Sequence, residues 1–300
     1  MMKKFLSGVL VSALVLGTVS VVNPTTAEAV SVPKPAYTFD MNKANKNVVA
    51  VARKGDTSSM KPADVTKGGV MPTEAAAKGI KLKYVKGKHG KALYLDRSKS
   101  YGAQLKGVNL GSGSWSVSFW VKIPNGMGDF SAVFFAGTDL TEKGAKWVSI
   151  TQRRDLGDIG GSPIIWSRDA KAVYDNNKGE FPWYCKNGAD KNGEAKWVKG
   201  TAFDTKNWVH VVLTVNTKKE GVYSEKGSEG YTKSAQAFTY INGKAYGNGA
   251  VSKGAINSKT KYFLGLNGWD IPMKAYYDDV KIWKKALTAK QVKALYKADK

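Results

Sequence analysis

The sequence has very few residues of the kinds that form disulfides or bind transition metals. Its 300 residues include one cysteine, Cys185, and two histidines, His89 and His210. A single cysteine excludes an intrachain disulfide framework and a cysteine-cluster zinc site, and two histidines leave little for a histidine-rich metal centre. Cys185 is expected either to be buried or to pair with another chain in an oxidising compartment.

Long apolar runs are missing after the first thirty residues. Residues 1–29 combine a basic start, an apolar run from Phe5 to Val22, and Ala27-Glu28-Ala29, the small-x-small pattern that signal peptidase requires. We interpret this segment as a cleaved secretory signal. An uncleaved anchor is the weaker alternative, because the run contains several Ser and Gly residues and is only marginally long enough to span a bilayer. The mature protein, 30–300, is expected to be soluble, secreted, extracellular or wall-associated, with no transmembrane segment.

Acidic residues and arginines are both scarce. The chain has 47 Lys+Arg against 24 Asp+Glu, a formal net charge of +23, and only five of the basic residues are arginines. Lysines act as hydrated point charges and not as bidentate forks. This charge indicates either a solubilising surface or diffuse attraction to a polyanion such as an anionic cell-wall polymer or an acidic polysaccharide. No nucleic-acid-binding pattern is present, so no nucleic acid partner is expected.

What the sequence does contain is strand alternation and turns. From Trp115 to Ile123, apolar residues alternate with Ser116, Ser118 and Lys122, which indicates a half-buried antiparallel strand. Asn242-Gly243 is a strong hairpin signal, because a type I′ turn needs positive φ at both central residues. Further short strands are predicted at 37–40, 92–95, 132–135, 147–152, 163–166, 208–215, 238–241, 262–266 and 280–283. Many strands with tight turns predict an all-β sandwich or jelly roll.

One helix is predicted, at the end of the chain. Thr288 to Gln291 fits a capping box, in which the Thr side chain and the Gln side chain each satisfy a backbone N–H of the first turn. Val292, Leu295 and Tyr296 then form one apolar face. We expect this helix to pack against the edge of the sandwich.

Five segments occur in an order that resembles the laminin-G-like, concanavalin A-like lectin/glucanase jelly-roll family. They are Gly87–Leu95, Ser114–Lys122, Asn207–Val215, Tyr240–Lys244 and Tyr277–Val292. The resemblance implies a two-sheet antiparallel jelly-roll sandwich with a short C-terminal helix, a concave face or rim loops that bind carbohydrate, and often a structural calcium ion. Residues 30–300 are then one domain, with a long insertion at about 125–206.

Three aspartates are candidate Ca²⁺ ligands. Asp40 lies in the first strand, and Asp278 and Asp279 lie just before the last. Terminal strands of such jelly rolls lie near one another, so these carboxylates would supply the hard oxygen ligands that calcium prefers. Simple alternation places Asp278 on the inward face with Val280 and Ile282. The alternative is that backbone N–H groups or a lysine satisfy the buried carboxylate.

The insertion supplies the residue types that bind sugars. Flat aromatic faces pack on the C–H surface of a sugar ring, and amide, carboxylate or guanidinium groups bind its hydroxyls. The alternative is that the insertion tryptophans only pin long loops, whereas Trp115, Trp208 and Trp283 fit strand patterns and are expected in the core. The predicted ligand-binding residues are Trp166, Arg168, Asp169, Asn176, Trp183, Tyr184 and Trp197.

Catalytic signatures are missing. Glycosidases of this broad fold resemble one another in a Glu-x-Asp-x-Glu arrangement on one strand face, and this sequence has none. His210, on an apolar strand, is expected to be packed and hydrogen-bonded and not to act as a base. We therefore predict a non-catalytic module that binds carbohydrate or a cell surface. One alternative is a glycoside-active enzyme whose atypical carboxylates face each other about 5–9 Å apart. The other is a protein-binding adhesive or structural domain with an exposed apolar patch. The sequence does not determine the oligomeric state.

Overall fold

Two sheets contain the seventeen strands that the structure describes. A computed structural model describes residues 30–53, 71–96, 100–124, 131–138, 146–153, 162–168, 180–184, 186–189, 195–197, 203, 207–221 and 234–300. The strand pairs are antiparallel apart from a short parallel pairing of residues 186 and 187 with Asn248. Residues Ser31–Lys300 cluster as one compact unit. This is the all-β, two-sheet antiparallel jelly-roll sandwich that the sequence predicts.

The first sheet has ten strands. Its members are β1 (Tyr37–Phe39), β3 (Lys83–Lys86), β4 (Lys91–Leu95), β6 (Trp115–Lys122), β11 (Lys186–Ala189), β12 (Ala195–Trp197), β13 (Val209–Asn216), β14 (Ser234–Ile241), β15 (Lys244–Ser252) and β17 (Ala275–Trp283). They are ordered β12-β11-β15-β14-β13-β6-β17-β4-β3, and β1 pairs with β17.

The second sheet has seven strands. Its members are β2 (Val48–Ala52), β5 (Tyr101–Leu105), β7 (Ala132–Gly137), β8 (Trp147–Arg153), β9 (Ser162–Arg168), β10 (Glu180–Tyr184) and β16 (Lys261–Leu264). Their order is β10-β9-β8-β7-β16-β5-β2. Strands β2, β3, β5, β10, β11 and β12 are not among the strands that the sequence predicts.

The core lies between the two sheets. Its residues are every second residue of each strand, because successive side chains of a strand point to opposite faces of the sheet. In β6, Val117, Phe119 and Val121 are buried in the main hydrophobic cluster, and the ring of Phe119 stacks on Phe134 of the second sheet, with centroids 6.3 Å apart. Intervening residues of β6 therefore lie on the outer face of the ten-stranded sheet.

The predicted hairpin and helix are confirmed. Asn242 and Gly243 have φ values of 51° and 74°, as a type I′ turn requires. Helix α1 (Ala289–Ala298) begins after Thr288, whose side chain accepts a hydrogen bond from the backbone N–H of Gln291 in a complete capping box. Val292 and Leu295 are buried in a hydrophobic cluster on the outer side of this sheet, together with Val212, Tyr240 and Trp283. The helix thus covers part of the outer face of the ten-stranded sheet. The expectation that it packs against the edge of the sandwich is wrong, because its buried residues contact the interior strands β13, β14 and β17.

A β-bulge in β17 changes which side chains face outward. Asp278 pairs with Trp120 and Lys281 pairs with Ser118, so β17 has one residue more than β6 between these points. Asp279 takes the extra position with φ 47°, in the left-handed region that aspartate tolerates better than most residues. The prediction that Asp278 shares a face with Val280 is therefore wrong: Asp278 lies outward, because the bulge shifts the alternation by one residue.

Candidate functional site

A partly exposed line of aromatic and lysine side chains crosses the outer face of the ten-stranded sheet. Lys83 of β3 pairs with Tyr94 of β4, Tyr94 pairs with Tyr276 of β17, and Tyr276 pairs with Lys122 of β6. Trp208 immediately precedes Val209, which pairs with Val121. All five side chains lie on the outer face because each residue is next to one that packs toward the core. We call Tyr94, Tyr276 and Trp208 the aromatic row.

The rings of the aromatic row are close enough to form one surface. The Tyr94 and Tyr276 ring centroids are 4.9 Å apart, at an interplanar angle of 38°. The Trp208 and Tyr276 centroids are 6.4 Å apart, at 69°. All three side chains are half-buried, so part of each remains open to solvent. Cross-strand aromatic pairs also stabilise the sheet.

Two lysines lie over these rings. The Nζ atom of Lys122 is 4.6 Å from the Tyr276 centroid and 5.6 Å from the Trp208 centroid. The Nζ atom of Lys83 is 5.7 Å from the Tyr94 centroid. These separations lie within the range of cation–π attraction. The surface therefore combines aromatic faces with positive charge.

A pocket of about 350 Å³ opens at the Tyr94 end of the row, and it is lined by Lys81, Leu82, Lys83, Tyr94, Asp96 and Tyr101. Burial raises the pKa of Tyr94, and the neighbouring Asp96 and Tyr276 raise it further. Burial also raises the pKa of Tyr101, while a hydrogen bond with the backbone of Asp96 opposes the shift. Both phenols therefore stay neutral at neutral pH and keep their O–H groups as hydrogen-bond donors.

The sequence misses this site because the three rings come from separate segments. Trp208 was expected in the core, but its side chain is half-buried on the outer face, whereas Trp115 and Trp283 are 2% and 1% exposed, as predicted. Trp208 comes directly before Val209, which faces the core. Strand alternation therefore predicts that Trp208 faces outward, on the same side as Lys122.

The predicted binding residues Trp166 and Arg168 lie on the outer face of the other sheet. Trp166 pairs with Ser149, and Arg168 pairs with Trp147. The Trp147 ring lies 6.1 Å from Trp166 and 5.1 Å from Trp269, in a small outer hydrophobic cluster. Trp166 is half-buried, but Arg168 is fully buried. Arg168 is therefore not placed to contact a ligand at the surface.

The other predicted binding residues are only partly located. Trp183 pairs with Ile165 and Tyr184 with Ile164, both across the β10–β9 ladder. Trp197 pairs with Lys186 in the ten-stranded sheet. Asp169 and Asn176 lie outside the described residues. Their role in binding stays a prediction.

The three candidate calcium ligands have other partners. Asp40 is exposed and accepts a hydrogen bond from the backbone N–H of Asn42 at 3.1 Å. Asp279 pairs with Lys281 at 2.7 Å. Asp278 accepts the backbone N–H of His89. Within the described part of the chain, no group of three or more His, Cys, Asp or Glu side chains is placed to hold a metal ion. The role of these aspartates as calcium ligands, and calcium binding by the chain, stay predictions from resemblance.

Asp278 belongs to a buried polar cluster beneath the C-terminal helix. The Trp120 ring lies 5.9 Å from His89, 5.1 Å from His210 and 5.9 Å from Tyr296 of the helix. His210 is completely buried, and its Nε2 atom lies 2.9 Å from the Ser118 hydroxyl, as expected of a packed histidine. Burial is the main cause that lowers the pKa of His210 to about 3. The same cause raises the pKa of Asp278 to about 6.

Comparison with known proteins identifies the family. Residues 97–293 match the model of the concanavalin A-like lectin/glucanases superfamily, and the chain belongs to this family. No protein of curated function matches the sequence. In the part of the chain that the structure describes, no helix is long and apolar enough to cross a bilayer.

Solved structures match this chain at low sequence identity, and one of them, at a TM-score above 0.5, shares the fold. Domain 4 of AbnA, a GH43 extracellular arabinanase from Geobacillus stearothermophilus, in complex with arabinotriose, is 18% identical at a TM-score of 0.52, with 89% of this chain and 100% of that domain covered. The binding domain of Paraclostridial Mosquitocidal Protein 1 is 15% identical at a TM-score of 0.44, with 86% and 53% covered. The botulinum neurotoxin type G receptor binding domain is 14% identical at 0.40, with 83% and 50% covered. The chain therefore spans about half the length of the two toxin domains.

Proposed function

We propose that the protein is a secreted, non-catalytic module that binds carbohydrate through the aromatic row. The observation that carries this proposal is the alignment of Tyr94, Tyr276 and Trp208 on one partly exposed face. Tyr94 and Tyr276 are cross-strand partners in β4 and β17, and Trp208 immediately precedes β13. Secretion rests on the signal pattern of residues 1–29.

The aromatic row has the chemistry that a sugar-binding surface needs. Ring faces bury the C–H surface of a sugar, and a few polar groups fix its orientation. The pocket at the Tyr94 end supplies a carboxylate from Asp96, phenols from Tyr94 and Tyr101, and ammonium groups from Lys81 and Lys83. Because the row is part of a hydrogen-bonded sheet, its rings are held in position before a ligand arrives, which lowers the entropic cost of binding.

The shared fold supports the proposal without locating the site. AbnA domain 4 has the same fold, and its structure contains arabinotriose. Because a fold hosts many activities, the argument for this chain rests on its own residues. A polysaccharide that contains arabinose is nevertheless a natural first ligand to test.

The positions of the two aspartates with raised pKa values, Asp270 and Asp278, favour a binding function for the protein over a catalytic one. Burial raises the pKa of Asp270 to about 7, but this carboxylate accepts a hydrogen bond from Asn267 and lies near the guanidinium of Arg53. Asp278 is fully buried beneath the helix. Asp278 is thus buried and Asp270 is bound by a neighbouring side chain, whereas a glycosidase needs both of its carboxylates at the scissile bond.

The test is a glycan and polysaccharide binding screen of the wild type and three variants. Trp208→Ala and Tyr276→Ala remove rings from the row, and we expect each to weaken binding at least about tenfold, because each ring buries apolar surface against the sugar. Tyr37→Ala is the matched control, since Tyr37 is also half-buried and carries a lysine, Lys284, 5.8 Å from its ring centroid. Tyr37 pairs with Ile282, six residues along β17 from Tyr276.

A fourth variant, Trp166→Ala, tests the site that the sequence predicts. Loss of binding in Trp166→Ala with full binding in Trp208→Ala would reject the aromatic row as the site. Binding of a protein partner in place of any glycan would favour the adhesive alternative. Circular dichroism of each variant checks that the loss is not caused by unfolding.

A further inference from the structure

We propose that the aromatic row selects acidic glycans, whose sugar rings carry carboxylate or sulfate groups. The proposal rests on the proposed function, because it assigns the ligand class of the same site. It comes from the positions of Lys83 and Lys122, which lie in the same cross-strand line as the rings and hold their ammonium groups over them.

The two ammonium groups occupy the surface on which a neutral sugar would stack. Lys122 lies over both Tyr276 and Trp208, and Lys83 lies over Tyr94. Each cation–π contact is favourable, so a neutral sugar must displace these contacts without replacing them. An anionic sugar draws each ammonium to its own charged group, so the lysine exchanges one favourable contact for another. The same rearrangement that opens the ring faces therefore stabilises an acidic ligand.

The pocket beside Tyr94 adds to this charge. Its lining includes two lysines, Lys81 and Lys83, against one carboxylate, Asp96. Lysine ammoniums are point charges that reorient freely, which suits a polymer whose charged groups repeat along the chain. The chain as a whole carries a formal net charge of +23, so long-range attraction brings the same ligands to the surface.

The charges of Lys83 and Lys122 differ from diffuse surface charge because they lie directly over the aromatic rings. A lysine that only attracts a polyanion at long range can be removed anywhere with a similar effect, and that effect disappears at high salt. Removal of Lys83 or Lys122 changes two things at once: it weakens binding of anionic sugars and it uncovers ring surface for neutral ones. The second effect is specific to lysines that cover the aromatic row.

The experiment measures binding of the whole chain to matched polymers. Polygalacturonate and its methyl ester share a backbone and differ in carboxylate charge, and dextran sulfate and dextran provide the same comparison for sulfate. Each is tested at about 50 mM and about 500 mM salt, which changes the screening of exposed charges. The variants are the double substitution Lys83→Gln with Lys122→Gln, Trp208→Ala, and the control Lys284→Gln, whose lysine covers Tyr37 outside the row.

We expect the wild type to bind at least one acidic polymer at least about tenfold more tightly than its neutral partner. The double variant should lose this preference and bind the neutral polymer as well as or better than the wild type, while Lys284→Gln behaves as the wild type. The carboxylate and sulfate arms show which group is recognised. An unchanged preference in the double variant, an equal loss in Lys284→Gln, or no binding of either acidic polymer would overturn the proposal.

The two proposals fail in different ways. If Trp208→Ala abolishes binding but acidic and neutral polymers bind equally, the aromatic row is the site and the preference for acidic glycans is wrong. If Trp208→Ala changes nothing for any polymer, the proposed site itself is wrong.

Discussion

The Asp278 carboxylate accepts a hydrogen bond of 2.8 Å from the backbone N–H of His89. This bond joins the β3–β4 turn to the bulge of β17, two segments that are far apart in the sequence. Gly87 of the same turn approaches so closely that a Cβ atom there would lie 2.6 Å from Asp278 Oδ2. The carboxylate therefore holds the turn against the sheet, under the C-terminal helix.

Ionisation of Asp278 should make the fold less stable as the pH rises. Its pKa is raised from 3.8 to about 6, mainly by burial, so the folded state holds the proton more tightly than the unfolded state does. The stabilising contribution is complete below about pH 4 and is lost as the pH rises through 6. Compared with Asp278→Asn, the wild type should lose up to about 3 kcal/mol of unfolding free energy between about pH 4 and pH 7. Urea denaturation at several pH values measures this, and a difference that is constant with pH would contradict it.

His210 should have the opposite effect. Burial, with smaller contributions from Lys281 and His89, lowers its pKa from 6.5 to about 3, so acidification protonates the unfolded state first. The unfolding free energy should fall by about 1.4 kcal/mol per pH unit as the pH decreases below 6.5. The wild type and His210→Gln are compared in an Asp278→Asn background, which removes the opposing titration. Parallel pH profiles for the two proteins would show that His210 does not titrate in this way.

Gly243 should be needed both for its backbone conformation and for helix packing. Its φ is 74°, and an added Cβ would lie 2.8 Å from the Cβ of Tyr296. Gly107 has φ 80° with nothing within 4 Å of an added Cβ, so Gly107→Ala measures the conformational cost alone. We expect about 1 kcal/mol for Gly107→Ala and about 1–3 kcal/mol more for Gly243→Ala. If thermal or urea unfolding gave the same loss of unfolding free energy for both variants, the helix would move away from the added methyl group without a loss of stability.

Ser116 should be needed to attach the segment that leads into the helix. Its hydroxyl donates to the Lys285 carbonyl and accepts from the Leu287 N–H, each at 2.9 Å, in a fully buried position. Ser116→Ala leaves both backbone groups without these partners, at a cost of about 1–3 kcal/mol. Thr288→Ala removes only the helix cap and should cost about 1 kcal/mol. If hydrogen exchange in residues 285–298 is faster only in Thr288→Ala, the role assigned to Ser116 is wrong.

Local sequence signals predicted the fold well. The alternation from Trp115 to Ile123, the Asn242-Gly243 turn and the Thr288 capping box each depend on residues within a few positions of one another. Such signals act through backbone geometry and are readable in a single chain. Each of these elements is present in the structure.

The candidate site was not predictable in the same way. Tyr94, Tyr276 and Trp208 meet only because β4, β17, β6 and β13 are neighbours in the sheet, and strand order is not written in any one segment. The bulge at Asp279 adds a second difficulty, because a one-residue shift reverses every face assignment before it. Sequence reasoning therefore chose aromatic residues of the insertion, where polar and aromatic residues lie close together along the chain.

The bulge at Asp279 also has an evolutionary consequence. From Lys281 backward, unbroken alternation would turn Tyr277 outward and Tyr276 inward, and the extra residue is what presents Tyr276 beside Tyr94 and Lys122. Deletion of the Asp279 codon would remove the extra residue and leave Asp278, Val280 and Lys281 in regular alternation, with Tyr276 still outward. One residue inserted between Tyr277 and Asp279, and not taken up by a second bulge, would turn Tyr276 inward while every aromatic residue stays in the gene. The surface therefore tolerates a shorter strand at this point better than a longer one.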